Sequence, residues 1–106
     1  MLPFIQVVTT LPDQKSAEVL ASTLLEQRLV ACVQLSPCAS RFHWQGKIEE
    51  EHEVVCTMKS HHSLFAELEE AITTTHPYDV PEILATPIVA ASAAYGDWLK
   101  RELKEV

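Results

Sequence analysis

The chain has 106 residues, 47 % of them apolar, with two glycines and a formal net charge of −7; this suits one folded domain spanning 1–106 and argues against disorder. Eight Lys and Arg against fifteen Asp and Glu leave no basic surplus to neutralise phosphates, so no nucleic-acid partner is expected. No apolar run reaches the roughly 18 residues of a membrane span, and no basic stretch precedes the short apolar start, so neither a membrane partner nor a signal peptide is expected.

Residues 4–10, FIQVVTT, form a short β-branched run stopped by Pro12 and Asp13 and read as a buried strand. Asp13 then caps a helix over 13–28, in which Ala17, Leu20, Ala21, Leu24 and Leu25 recur at i, i+3, i+4, i+7 and i+8 on one face. VACVQL, 30–35, is a second buried strand ended by Ser36 and Pro37, and SRFHWQG, 40–46, is extended up to its glycine. Within 47–60 a strand turns Val54, Cys56 and Met58 one way and Val55, Thr57 and Lys59 the other, while its charged first half suits an exposed hairpin arm. HSLFAELEEAITT, 62–74, puts Leu64, Leu68, Ala71 and Ile72 at helical spacing with Ser63 as the cap. EILATPIVA, 82–90, is a last strand in which Pro87 marks an edge or a bulge, and SAAYGDWLKREL, 92–103, is a short helix capped by Ser92.

Strand, helix, strand, strand, helix, strand is the order of an α+β, ferredoxin-like split βαβ sandwich, here with an extended β-hairpin arm and a short C-terminal helix. Its helices cover one face of the sheet. Ile5, Val7, Val8, Val30, Cys32, Val33, Leu35, Val54 and Val55 place apolar side chains on both sides of their strands, and a half-solvated sheet alternates more cleanly. The helix-free face is therefore expected to be buried against another subunit. Cys32, Cys38 and Cys56 are an odd number with no close pair, which points to reduced thiols and a cytoplasmic location.

The stretch THPYDVPEI, 75–83, carries the densest chemistry. Pro77 and Pro81 fix their own φ and push His76 and Val80 out of the helical region, so His76, Tyr78, Asp79 and Glu82 are held in defined directions. An imidazole for proton transfer or metal binding, a phenol to hydrogen-bond a ligand and a carboxylate to orient either one could line a pocket. The plainer reading is a helix stop with Tyr78 packed and satisfied. Lys59, opposite the helices, suits an anion, a pair with Glu82, or a solvated strand end. Trp44 either caps a pocket or buries its ring in a subunit contact, and burial is favoured.

Other clusters read as structure. Cys56 and Met58, with His61 and His62 behind them, would suit a soft ion, but core packing explains them. No Cys or His pair has the spacing of a structural zinc site, and the run Glu49, Glu50, Glu51, His52, Glu53 solvates the arm and protects its edge. No GxSxG and no phosphate-cradling glycine loop occurs.

VTTLPD with RLVACVQL, then WQGKIEEEHEV, then HPYDVPEILATPI followed by Tyr95 and Trp98, resemble in order and spacing the CutA family of divalent-cation tolerance proteins, from about residue 7 to residue 99. The resemblance implies a ferredoxin-like protomer in a homotrimer, with sheets facing inward and hairpin arms pairing between subunits. It implies a non-enzymatic role in the response to metal ions, with weak binding of copper or another divalent cation. His76 would be the metal-site residue, and Lys59, His76, Tyr78, Glu82 and Trp44 would line a ligand site. Some members carry a Cys on the first strand and a His-His pair before the Pro-Tyr, and copper is linked to those positions. Here Thr9 and the pair Thr75 and His76 stand there instead, and threonine is a poor ligand for a soft ion. Two other readings are a trimeric small-molecule sensor similar in plan to the nitrogen-signalling PII proteins, and an enzyme using Lys59, His76, Tyr78 and Glu82 across a subunit boundary.

Overall fold

A computed structural model describes residues 2–105. The β-branched run forms β1 (Phe4–Leu11), and α1 (Gln14–Glu26) follows with its N-terminus capped by Asp13, whose Oδ1 accepts the Ser16 N–H at 2.7 Å. The helix stops short of residue 28 because Arg28 takes a left-handed backbone, φ 56°. There the Arg28 N–H reaches the Leu25 carbonyl at 3.0 Å and the Leu29 N–H the Leu24 carbonyl at 3.1 Å, a Schellman-type close.

The expected short strand and the extended segment after it are one element, β2 (Cys32–Trp44), paired along its whole length with β3 (Lys47–His61). Ser36 and Pro37 do not end it. In the strand order β2-β3-β1-β4, β2 lies at an edge, where a proline nitrogen can face away from the one partner strand. Gln45 and Gly46, with φ 50° and 79°, join the two strands in a two-residue turn whose positive dihedrals match the twist of a hairpin.

After β3 comes a 3₁₀ turn (His62–Leu64) and then α2 (Phe65–Thr75). Ser63 is not the cap, because it lies inside the 3₁₀ turn; His61 takes the role, its Nδ1 accepting the Ser63 N–H at 3.0 Å. β4 is only Leu84–Pro87, not 82–90: its ladder with β1 runs from Ile5↔Pro87 to Val8↔Leu84, followed by a single backbone bond from the Ile88 N–H to the Phe4 carbonyl at 3.1 Å. Pro87 does mark an edge strand. α3 (Ala93–Glu102) is capped as expected by Ser92, which accepts the Tyr95 N–H at 3.2 Å.

The topology is the ferredoxin-like one, with three helices and a four-stranded antiparallel sheet among the described residues. The core lies between sheet and helices, where Val7, Met58, Leu20, Leu24, Leu68, Ile72 and Leu99 are fully buried. Directly opposite residues share a face, so register assigns every strand side chain. Val33 and Leu35 stand opposite Met58 and Cys56 and belong to the core, as do Ile5, Val7 and Val54. Of the apolar set expected on both faces, Val8, Cys32 and Val55 turn to the side that α1 and α2 leave uncovered, joined there by Gln6, Thr10, Gln34, Ser36, Thr57, Lys59, Leu84 and Thr86; α3 reaches one end of this side, where Gly96 packs on the Phe4 ring and Tyr95 lies against Cys32. Along β1 that face is thus small, polar and apolar side chains with Lys59 as its one charge. Beyond Leu11 the β2–β3 ladder continues without a third strand from Cys38↔Glu53 to Trp44↔Lys47, which draws the protomer out to 45 × 26 × 22 Å.

Candidate functional site

At the exit of α2 the pre-proline restriction acts as expected: His76 is extended, φ −72° and ψ 137°, and its N–H still caps the helix on the Ile72 carbonyl at 2.8 Å. The extended turn sends the imidazole back onto the sheet. Its Nδ1 accepts the Tyr78 N–H at 3.1 Å, which fixes the neutral ring's proton on Nε2, and Nε2–H then donates to the Thr10 carbonyl at 2.7 Å. The Tyr78 ring stands 4.9 Å from the imidazole, and its hydroxyl donates to Glu53 Oε2 at 2.8 Å.

Thr10 lies near the end of β1 and Glu53 at the root of the arm, so two side chains staple the proline-braced loop to both. Burial holds His76 below the ordinary histidine range, opposed by its bond to Thr10 and by the Glu53 charge. Burial and the Glu53 carboxylate push the Tyr78 phenol well above its usual range, so it is a fixed donor rather than an acid.

Lys59 stands elsewhere. It is level with Gln6, four positions along β1 from Thr10 or about 13 Å, and its Nζ donates to Gln34 Oε1 at 3.0 Å. Glu82 is exposed, and among the described residues it is not bonded to Lys59. Trp44 is at the arm tip, 48 % exposed. One protomer therefore brings His76 and Tyr78 together and leaves Lys59, Glu82 and Trp44 apart.

As a metal ligand His76 would have to surrender the Tyr78 N–H or its bond to Thr10. Thr75, before it, is exposed, and Thr9 is sealed between sheet and helices with a hydroxyl that finds no hydrogen-bond partner among the described residues. Opposite Thr9, burial raises the Cys56 thiol to about 11, which disfavours the thiolate a soft ion needs. Among the described residues no three His, Cys, Asp or Glu side chains converge on a point. This donor set does not fit a resident copper ion within one protomer.

Sequence reasoning missed Glu53. It reads as one more solvating acid of the arm, yet it is only 8 % exposed and anchors Tyr78. Its place next to the apolar run that begins at Val54 was the available signal. Gln34 as the partner of Lys59 had none, because their pairing depends on strand register.

The profile of the CutA1 divalent ion tolerance protein family matches residues 5–102. The Divalent-cation tolerance protein CutA of Pyrococcus horikoshii is 43 % identical over 99 residues, which cover 93 % of this chain and 97 % of that one. The chloroplastic Protein CutA of Arabidopsis thaliana is 35 % identical over 104 residues, 97 % of this chain but 57 % of the relative, so the chain spans just over half of it. The crystal structure of CutA1 from Oryza sativa superposes with a TM-score of 0.96 at 34 % identity, covering 99 % of this chain and 97 % of that one.

Proposed function

The chain belongs to the CutA1 divalent ion tolerance protein family, and from that premise we propose that it acts as a non-enzymatic homotrimer in the cellular response to divalent metal ions, binding copper or a similar ion weakly. The observation that carries the reading is the sheet face that α1 and α2 leave uncovered. Along β1 it holds a single charge, Lys59, in a chain whose net charge is −7, and charge depletion is what distinguishes the centre of an interface from ordinary surface. A second copy is the natural cover, with Phe42, Trp44 and Ile48 of the arm, all exposed in the protomer, as anchors between subunits. Weak metal affinity follows from the donors. His76 is engaged at both ring nitrogens, so an ion on it competes with the clasp that holds the loop. The three unpaired thiols support a reducing, cytoplasmic setting.

A second reading is favoured by Lys59. Among the described residues its ammonium has only the neutral Gln34 amide as a partner, so covering the face would leave a charge seeking an anion. A trimeric sensor with an anionic ligand between subunits, walled by Lys59, His76, Tyr78, Glu82 and Trp44, would satisfy it.

Light scattering at micromolar concentration tests the assembly: a trimer is expected, and a monomer would refute it. Titration of the folded protein with Cu²⁺ against a competing chelator tests the metal reading, with weak uptake expected and one tight stoichiometric site per subunit counting against it. Mass spectrometry under native conditions separates the two readings, since a bound organic anion would favour the sensor.

A further inference from the structure

We propose that the groove between the end of β3 and α3 binds a small oxyanion, a phosphate or carboxylate group, through His61, Lys100 and Arg101. The groove has a volume of about 700 Å³, and those three residues line it together with Asp97, Lys104 and Glu105. Half of the chain's eight Lys and Arg collect at this end. Arg28 is neutralised by Glu102 at 3.3 Å and Lys104 by Glu67 at 2.9 Å. Among the described residues Lys100 and Arg101 have no carboxylate within ion-pair reach, although Asp97 precedes them by three and four positions on the same helix and lines the same groove.

The imidazole supplies the third donor. His61 Nδ1 accepts the Ser63 N–H at 3.0 Å, so the neutral ring carries its proton on Nε2 and offers that N–H to a ligand. Burial, the stacked His62 ring 4.8 Å away and the Lys100 ammonium all hold His61 below the ordinary histidine range. A helix dipole alone accounts for cations in the last turn of α3. It does not account for two of them unpaired beside a concavity that also holds an imidazole locked in one tautomer. An ammonium, a planar guanidinium and a fixed N–H are complementary to an oxyanion. Asp97 and Glu105 would accept hydroxyl groups of an organic ester.

The test is a titration of the full chain followed by ¹H–¹⁵N NMR at constant ionic strength, once with inorganic phosphate and once with glycerol phosphate. Saturable shifts at His61, Lys100 and Arg101 are expected, with a Kd of about 1 mM or below. Tighter binding of the ester would identify an organic phosphate, and equal binding a free ion. The double substitution Lys100→Gln, Arg101→Gln, at two exposed positions, should weaken binding about tenfold or more. His61→Asn keeps a side chain that can cap the turn and should weaken binding by removing the Nε2 donor. Shifts that grow linearly without saturating, or an affinity that the double variant leaves unchanged while its spectrum remains folded, would overturn the proposal.

Discussion

Met58 and Thr57 are adjacent on β3, yet one is fully buried on the side of α1 and α2 while the other is partly exposed on the opposite side, which only α3 reaches and only at one end. The inner face of the sheet is closed by the chain's own elements: Val7, Cys56 and Met58 have at most 1 % of their surface exposed. The outer face repeats the same alternation with Gln6, Val8, Thr57 and Lys59 and is left half-finished. The arm carries this further, since past the Tyr78–Glu53 bond at its root the β2–β3 ladder pairs with no third strand among the described residues. If the chain assembles as proposed, stability resides on one side of the sheet and association on the other, and neighbouring residues on one strand answer to different partners.

The largest effect should come from the inner face. Met58→Ala leaves a cavity under the helices and should cost about 3 kcal/mol in urea unfolding; a loss below about 1 kcal/mol would mean the inner face is far less tightly packed than its burial indicates. Next, Trp44→Ala at the arm tip should leave unfolding of the separated protomer nearly unchanged and weaken self-association by about 2 kcal/mol per site, read from the concentration dependence of molar mass. An unchanged dissociation profile would break the division of labour just described.

Smaller effects sharpen it where the faces meet. Tyr78→Phe removes the donor to the buried Glu53 carboxylate and should cost between about 1 and 3 kcal/mol, measured by thermal unfolding together with protease sensitivity of residues 76–83. Thr9→Val, on the inner face, replaces a buried hydroxyl that has no partner among the described residues by a methyl of the same shape. It should raise stability by about 1 kcal/mol, and a destabilisation would imply a bound water or ligand on that hydroxyl.

The mildest prediction is a pH slope. Burial depresses both His61 and His76 in the folded chain, so between their folded values and the ordinary value near 6.5 the unfolded chain binds more protons. Stability should therefore be complete above that window and fall as pH drops through it. His76→Gln should flatten the slope, which unfolding at a series of pH values would read directly, with NMR titration of both rings as the check.

Local free energies made much of this protein legible in its sequence. Asp13 and Ser92 cap their helices because a cap needs only the next three residues. His76 and Tyr78 meet because Pro77 stiffens the few bonds between them, and the core positions Ala17, Leu20 and Leu24 of α1 and Leu68 and Ile72 of α2 follow from a period of 3.6 residues, whereas Leu25, expected on the same face, lies at its margin and is exposed. The ferredoxin-like order of elements could be read for the same reason. Pro37 misled because its effect on a strand depends on whether that strand lies at an edge, and Ser63 because the cap was supplied by the preceding His61. Which of the apolar strand residues face the helices, that Glu53 receives Tyr78 across 25 positions and Thr10 receives His76 across 66, and that Lys59 meets Gln34 instead of Glu82 were decided by tertiary structure alone. Each depends on strand register, and register is chosen by the summed burial of a whole face and the closure of long loops, a sum that no short stretch of residues contains.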